Sequence, residues 1–504
     1  KKNVAMTAFT PTALGGGTIA YTAAGLPPGV SINSSTGQIS GTTDEIGAST
    51  FTVTASGTNA AGANRTASKT YTLKVSDPDA YPFRLPLTLA GYTGSSTLTQ
   101  FPVLVELNSS ITGFTYNSFA STTGGDLRFY AADGEELPYE VETWDPTGTS
   151  RVWVRSGSIS GTNTVITAAW GDSTQTTAPS YVSDGSTWSN GYHGAWHFQD
   201  LIGTTLADSG SKNYHGTGVG GPTIAAGQVG NSISFDGTDD YVNFGKDAGN
   251  PGSVFTVTFW TKITGGDNNP RLFGNKSQSA GTVGWEIYKG TNANRLYYRG
   301  SGNTNRNKVM LSSGSWNDGN WVHVALRVNG GSLRWFADGA DKGGSTGAEV
   351  VANTTSDLRM GDTEHNTHFI QARFDEVRIA NVSRTNDWIK ASFDNQKSTG
   401  TRLVSYGSVA GPRMITSPLT STATVGTAYT YNTTAVGTDS NTTYTIFNLP
   451  GGLQFTPGNG QVTGTPTTAG VFPVSLVVNY DDDDGSVTDS DSNPDQIGSI
   501  FPPE

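Results

Sequence analysis

Leu26 to Thr43 reads L-P-P-G-V-S-I-N-S-S-T-G-Q-I-S-G-T-T, and Leu449 to Pro466 reads L-P-G-G-L-Q-F-T-P-G-N-G-Q-V-T-G-T-P. Both stretches run from a proline–glycine turn through a short alternating segment to a second turn. Both then close on another alternating segment that ends in Gly-Thr. Apolar residues at every second position, between clusters of Gly, Pro, Asn and Ser, are the pattern of short strands joined by tight turns. Two related modules therefore stand near the two ends, and each copy can be checked against the other. The repeated unit reads as a packing module and not as a reaction site.

The rest of the chain has the same character. Its 504 residues leave room for three to five domains at about 100–200 residues each. Glycine is abundant (65), cysteine is absent and only 14% of residues are charged. Val, Thr, Tyr, Phe and Trp dominate the short apolar stretches, which predicts an all-β protein. The best local helix candidate is Arg384 to Phe393. A net charge of -12 argues against nucleic acid, which needs a basic face. It suits a solvated surface and divalent cations. No apolar run reaches the roughly 18 residues of a membrane span, so no membrane insertion is expected. The chain starts at Lys1 without a signal-like apolar segment, and is read as a processed or excised portion of something longer. Without cysteine there are no disulfides. Large bacterial surface proteins often have neither thiols nor disulfides, so an extracellular or cell-surface setting is expected.

Four units follow from the pattern. Residues 1–77 hold the first module, with Thr50 to Ala55 and Thr70 to Val75 alternating as sandwich strands. Its L-P-x-G and T-G-x-I-S-G-T stretches resemble the bacterial Ig-like family of cadherin-like sandwiches. Residues 80–185 carry the strand-like runs Phe101–Leu107, Asp126–Phe129, Leu137–Glu142, Val152–Arg155 and Ala169–Asp172. That order resembles a domain of unknown function that precedes laminin-G-like domains in bacterial surface proteins, and implies a β-sandwich.

Residues 190–400 are similar to a laminin-G-like, concanavalin-A-like jelly roll. The resemblance rests on Gly194–Phe198, Leu206–Ser211, Ile233–Gly237, Asp239–Val242, Phe255–Trp260, Trp321–Ala325, Phe336–Gly339 and Phe374–Ile379. It implies two antiparallel sheets packed face to face. Residues 412–504 hold the second Ig-like module, with an acidic tail after Tyr480. The predicted fold is thus a tandem of β-sandwiches: Ig-like, β-sandwich, jelly roll, Ig-like.

Four kinds of site are weighed, each beside a structural reading. The resemblance implies Ca²⁺ between an early loop and a late strand of the jelly roll, at Asp208 and Asp375. Six to eight oxygens would be needed, and turn or strand-end hydrogen bonds explain both residues equally well. In the tail, Asp481, Asp483, Asp489, Asp491, Asn493 and Asp495 could wrap a cation. However, Pro494 stands where an EF-hand needs glycine and no closing glutamate follows, so a full EF-hand is excluded. A solvated acidic loop is the alternative. For glycans, Trp285, Trp316 and Tyr297 are the aromatics to test. Trp260 and Trp321 sit in family core stretches, and core packing competes for every one of these rings.

Catalysis finds no support. Gly343–Gly347 matches G-x-S-x-G, but the motif has meaning only on a strand–turn–helix. His365 and His368 are too few for a zinc site, and no carboxylate pair is marked for glycosidic cleavage. A non-enzymatic, extracellular structural or adhesive protein is the first reading, as a filament subunit or as a segment of a giant multidomain adhesin. The alternatives are a carbohydrate-binding protein acting through the jelly roll, on surface glycans or polysaccharide, and the non-catalytic part of a secreted glycan-active enzyme.

Aligning the copies exposes an asymmetry. The second has a leading stretch, Pro412 to Thr427, before Tyr429–Tyr431, whereas the first begins directly before its matching strand at Met6 to Phe9. The first module therefore reads as lacking its first strand. Gln496 to Phe501 resembles the missing Met414–Leu419, which gives Ile497, Ile500 and Phe501 a candidate role in head-to-tail self-assembly. The competing readings are that this tail is the last strand of its own module, or that the chain is one segment of a longer array.

Overall fold

The computed structural model describes residues 1–13, 16–58, 62–276, 283–290, 295–300, 305–310, 319–346, 352–363, 366–411, 414–415, 417, 420–436, 443–479 and 497–499. It is nearly all β, a series of antiparallel sandwiches, as composition and periodicity predict. Two compact units are formed, one of Lys1–Tyr81 with Leu85–Ser408 and one of Pro82–Arg84 with Val409–Glu504.

In the first Ig-like module, Gly16–Ala24, Gly47–Thr58 and Asn64–Val75 make one sheet in the order first, second, third. Val30–Ile32 and Ile39–Gly41 make the hairpin of the repeated motif. The motif's glycines are explained by this hairpin. A Cβ on Gly41 would lie 2.0 Å from the Gly29 carbonyl oxygen, and one on Gly29 would lie 1.9 Å from that of Thr42. Both have positive φ, a conformation cheap for glycine alone. The second copy repeats this: a Cβ on Gly464 would meet the Gly452 oxygen at 2.3 Å. L-P-x-G and S/T-G-T thus encode a close backbone approach, not a ligand site.

In the second module, Thr443–Phe447, Ser475–Asn479 and Ile497–Ser499 form the matching three-stranded sheet. Leu476 lies opposite Gly498 and Val477 opposite Ile497. The tail is therefore paired within its own module. Its true counterpart in the first copy is Asn64–Val75, and not the stretch resembling Met414–Leu419. The reading in which Ile497 completes another subunit is corrected on this point, because its backbone already has a ladder partner in its own module. Ile500 and Phe501 lie outside the described residues.

The second sandwich contains a feature the linear reading missed. Its sheet of Phe83–Thr88, Val165–Trp170 and Arg128–Ala131 is extended by Ser405–Tyr406, which comes after the jelly roll in sequence. Ser405 lies opposite Thr88 and Tyr406 opposite Leu87. The Glu106 amide donates to the Tyr406 hydroxyl at 2.7 Å, and Asn395 receives the Leu104 amide and donates to the Pro102 carbonyl, both at 3.0 Å. The jelly roll is thus an insertion within the second sandwich, and the boundary at 185 separates residues that fold together.

Among the described residues the jelly roll has two eight-stranded sheets. Trp196, Phe235, Phe259, Trp285, Trp335 and Phe374 are among the rings packed between them. Its helix, Asn386–Gln396, falls close to the predicted stretch, and the Thr385 hydroxyl caps it by accepting the Trp388 amide at 3.1 Å. Gly343 to Thr346 lie on the strand Ala340–Thr346. The G-x-S-x-G match therefore lacks the strand–turn–helix that would give it meaning.

Candidate functional site

Each predicted site residue has a definite position where the structure describes it. The Asp208 carboxylate accepts the backbone N–H groups of Ala195 and Gly210 at 2.9 Å and of Tyr214 at 2.8 Å. Asp375, on the strand Ile370–Ala380, accepts those of Gln228 and Val229 at 2.7 and 2.8 Å through one oxygen. Both follow the turn reading offered beside calcium: each carboxylate ties a different loop to the sheet. Burial raises the pKa of Asp208. Burial, reinforced by the neighbouring Glu376 charge, raises that of Asp375 well above the usual range.

Trp285 is corrected from a glycan platform to a core residue. It is fully buried, its indole N–H donates to the Gly249 carbonyl at 3.0 Å, and it packs on Phe255 and Phe273. Trp316, Asp481, Asp483, Asp489, Asp491, Asn493, Asp495 and His365 lie outside the described residues.

Tyr297 is on the surface side, and it does not stand alone. Strands Glu286–Lys289 and Arg295–Arg299 pair so that Glu286 faces Arg299, Ile287 faces Tyr298 and Tyr288 faces Tyr297. Strand alternation sends Ile287, Leu296 and Tyr298 into the core and leaves Glu286, Tyr288, Tyr297 and Arg299 on the opposite face. There Tyr288 and Tyr297 stack at 5.1 Å with planes 17° apart. The guanidinium groups of Arg271 and Arg299 stand 4.7 and 5.1 Å from the Tyr288 ring centre. Both arginines pair with Glu286, at 3.1 and 3.0 Å. Asn243, Arg359, Gly274, Glu286 and Arg299 lie in register across five strands of this sheet. Arg359 also covers Tyr241, at 4.6 Å. The result is a polar-aromatic cluster on one side of the sheet, in which Glu286, Tyr288 and Arg271 are buried and Tyr297 and Arg299 are half-buried.

A second constellation lies where the second sandwich meets the jelly roll, and the sequence reading missed it. Glu140 and Glu142 alternate with Tyr139 and Val141 on the strand Tyr139–Thr143, so both point away from that sandwich's own core. They meet His197, Glu376 and Arg378 of the jelly roll. His197 Nδ1 lies 2.8 Å from Glu376 Oε1 and 3.7 Å from Glu142, while Nε2 lies 3.6 Å from Glu140. Arg378 pairs with Glu376 and stands 4.3 and 4.6 Å from the ring centres of Trp153 and Trp188. The two indoles in turn donate to Glu142 and Glu140.

Burial alone would lower the His197 pKa, but Glu376 and Glu140 more than offset this and hold it well above the ordinary value. Burial beside Glu376 pushes Glu142 up to about 8. Burial would raise Glu140 too, yet His197 pulls it below its ordinary value. Glu142, His197 and Glu376 form one of two convergent acidic or imidazole triads among the described residues, the other being Asp236, Asp239 and Asp240. Two signals stand in the sequence: an E-x-E alternation on an otherwise apolar strand, and a histidine inside the W-H-F stretch.

Family models match this chain in four places. Residues 2–76 and 412–492 match "Putative Ig domain", 123–211 match "Domain of unknown function (DUF2341)", and 236–390 match "Concanavalin A-like lectin/glucanases superfamily". The chain carries Ig-like domains at both ends and a concanavalin A-like domain between, in the order its motifs predict. No curated protein sequence matches it. Among solved structures, domain 4 of AbnA, a GH43 extracellular arabinanase from Geobacillus stearothermophilus in complex with arabinotriose, is 18% identical with a TM-score of 0.33, over 41% of this chain and 98% of that one. The binding domain of Paraclostridial Mosquitocidal Protein 1 is 12% identical with a TM-score of 0.32, over 59% and 69%. Trypanosoma rangeli sialidase in complex with sialic acid is 11% identical with a TM-score of 0.32, over 69% and 68%. No described helix is long and apolar enough to cross a membrane.

Proposed function

We propose that this chain is an extracellular, non-catalytic adhesive segment whose jelly roll binds carbohydrate on the face built around Tyr288 and Tyr297. The observation that carries the reading is the stacked tyrosine pair with Arg271, Arg299 and Glu286 fixed around it. A sugar ring offers a flat C–H face and a rim of hydroxyls. The half-buried Tyr297 and Arg299 offer an aromatic ring beside a donor, which matches both, and the buried Tyr288, Arg271 and Glu286 beneath hold them in place before a ligand arrives. The Ig-like modules at both ends fit a role as spacers that present this domain.

A glycan array and polysaccharide pull-down test the proposal. Binding that is lost in Tyr297→Ala while the melting temperature stays within a few degrees supports it. Retention of no glycan by the intact chain, or equal retention by Tyr297→Ala, overturns it. Trp285→Ala is unsuited to this test, since it opens the core.

A further inference from the structure

Two strands bring carboxylates to one junction from opposite sides. On the second sandwich, the alternation of Tyr139–Thr143 presents Glu140 and Glu142 together. On the jelly roll, the strand Ile370–Ala380 carries one extra residue against its neighbour Val254–Gly266: Thr258 pairs with Arg378 and Trp260 with Asp375. Such a bulge re-aims side chains. Phe374, Val377 and Ile379 keep to the core, and Glu376, at a φ of 51°, turns to His197.

The imidazole is the meeting point. Its Nδ1 lies 2.8 Å from Glu376 Oε1 and 3.7 Å from Glu142 Oε2. One ligand atom from each of the three residues lies within 4.8 Å of the other two. The side chains of His197, Glu142 and Glu376 are only 7%, 1% and 0% exposed. Arg378 takes the second Glu376 oxygen, while Trp153 and Gln199 donate to Glu142. Across the ring, Glu140 stands 3.6 Å from Nε2. Asp375 is fully buried, and its Oδ1 has no hydrogen-bond partner among the described residues. It lies within electrostatic reach of both Glu376 and Glu142. Four carboxylates thus share the junction. Among the described residues, the cations in ion-pair contact with them are Arg378 and His197. Negative charge is in excess where water is scarce.

We propose that Glu142, His197 Nδ1 and Glu376 Oε1 bind a zinc ion that pins the jelly roll to the second sandwich. One imidazole nitrogen and two carboxylate oxygens are a donor set that zinc accepts. Tetrahedral zinc, with bonds of about 2.0–2.2 Å, sets its ligand atoms about 3.4 Å apart, between the two distances seen at Nδ1. Glu140 orients the ring: by accepting from Nε2–H it leaves the Nδ1 lone pair for the metal. A water takes the fourth position and donates to Asp375 Oδ1. The imidazole disfavours Ca²⁺ and Mg²⁺, which take oxygen ligands. Without zinc, a proton on Nδ1 donates to Glu376 instead, so ion and proton compete for one place.

Calorimetric titration of ZnCl₂ into the intact chain, first stripped of metal with a chelator, tests the site. Saturable binding is expected, with one equivalent weakened at least tenfold in Glu142→Gln, which keeps the shape of the side chain and removes its charge. Should that variant misfold, X-ray absorption on the zinc-loaded wild type decides. An imidazole nitrogen beside oxygen ligands supports the site, and an all-oxygen shell overturns it. Absence of saturable binding up to millimolar zinc, or equal binding by wild type and a folded Glu142→Gln, also overturns the proposal.

Discussion

Glu142 of the second sandwich and His197 of the jelly roll stand 3.7 Å apart, carboxylate oxygen to Nδ1, inside a shared buried junction. Neither is the only charge present: Glu140, Glu376 and Arg378 close around the same imidazole. Removing the imidazole leaves Glu140 and Glu142 without it in a poorly solvated space, while Arg378 stays paired with Glu376. His197→Ala should therefore cost about 3–5 kcal/mol, the range for breaking a buried pair. Urea unfolding measures this, and the added Glu142→Gln change should recover part of the loss in a double-mutant cycle.

Stability should also depend on pH through this junction. The folded-state pKa of Glu142 is raised, to about 8. The folded state therefore holds that proton more tightly, and stability falls as pH rises from the ordinary carboxyl value toward 8. His197 is raised as well. Its contribution is complete below its ordinary value near 6.5 and is lost as pH climbs through the higher folded value. Both act in one direction. The melting temperature of the first compact unit should decline between about pH 5 and 9, and Glu142→Gln should flatten the slope. Glu140, lowered in the fold, acts oppositely and only on the acid side, so its contribution is lost below this window.

Asp208 is where a cation role and a turn role separate by experiment. Its carboxylate holds three backbone amides. Asp208→Ala should destabilise the jelly roll by about 2–4 kcal/mol, several charge-assisted hydrogen bonds being lost together. Thermal unfolding should show the same loss in millimolar Ca²⁺ and in EDTA. A loss seen only with calcium present would assign the residue to a cation.

The glycine pairs give the sharpest geometric prediction. A methyl group on Gly41 or Gly464 would sit about 2 Å from a carbonyl oxygen across the hairpin, at a positive φ. Gly41→Ala and Gly464→Ala should each destabilise their own module by roughly 2–4 kcal/mol, through strain and overlap combined. Amide exchange across Ile39–Gly41 or Gln461–Gly464 reads this directly.

Local pattern made the strands, the repeated hairpin and the helix near Arg384 legible, because each is set by alternation, turn residues or a cap. What escaped depends on the distant partner. Ser405–Tyr406 is a two-residue strand whose meaning comes from Leu87 and Thr88. Trp285 and Tyr297 look alike in sequence, but register sends one into the core and the other to the surface. Gln496–Phe501 reads like a first strand as well as a last one, and only the pairing of Ile497–Ser499 with Ser475, Leu476 and Val477 selects the last-strand reading for those three residues. Nothing local to Glu140 and Glu142 tells that His197 of another domain will meet them.

The return of Ser405–Tyr406 to Thr88 and Leu87 has a mechanical consequence. The chain enters the second sandwich at Phe83 and leaves it beyond Tyr406, on antiparallel neighbours of one sheet. A pull on the flanking polypeptide is therefore borne by that short ladder, which would open like a zipper one bond at a time. The jelly roll hangs between entry and exit, outside the line of tension. The jelly roll can stay folded while the ladder that carries it is under load.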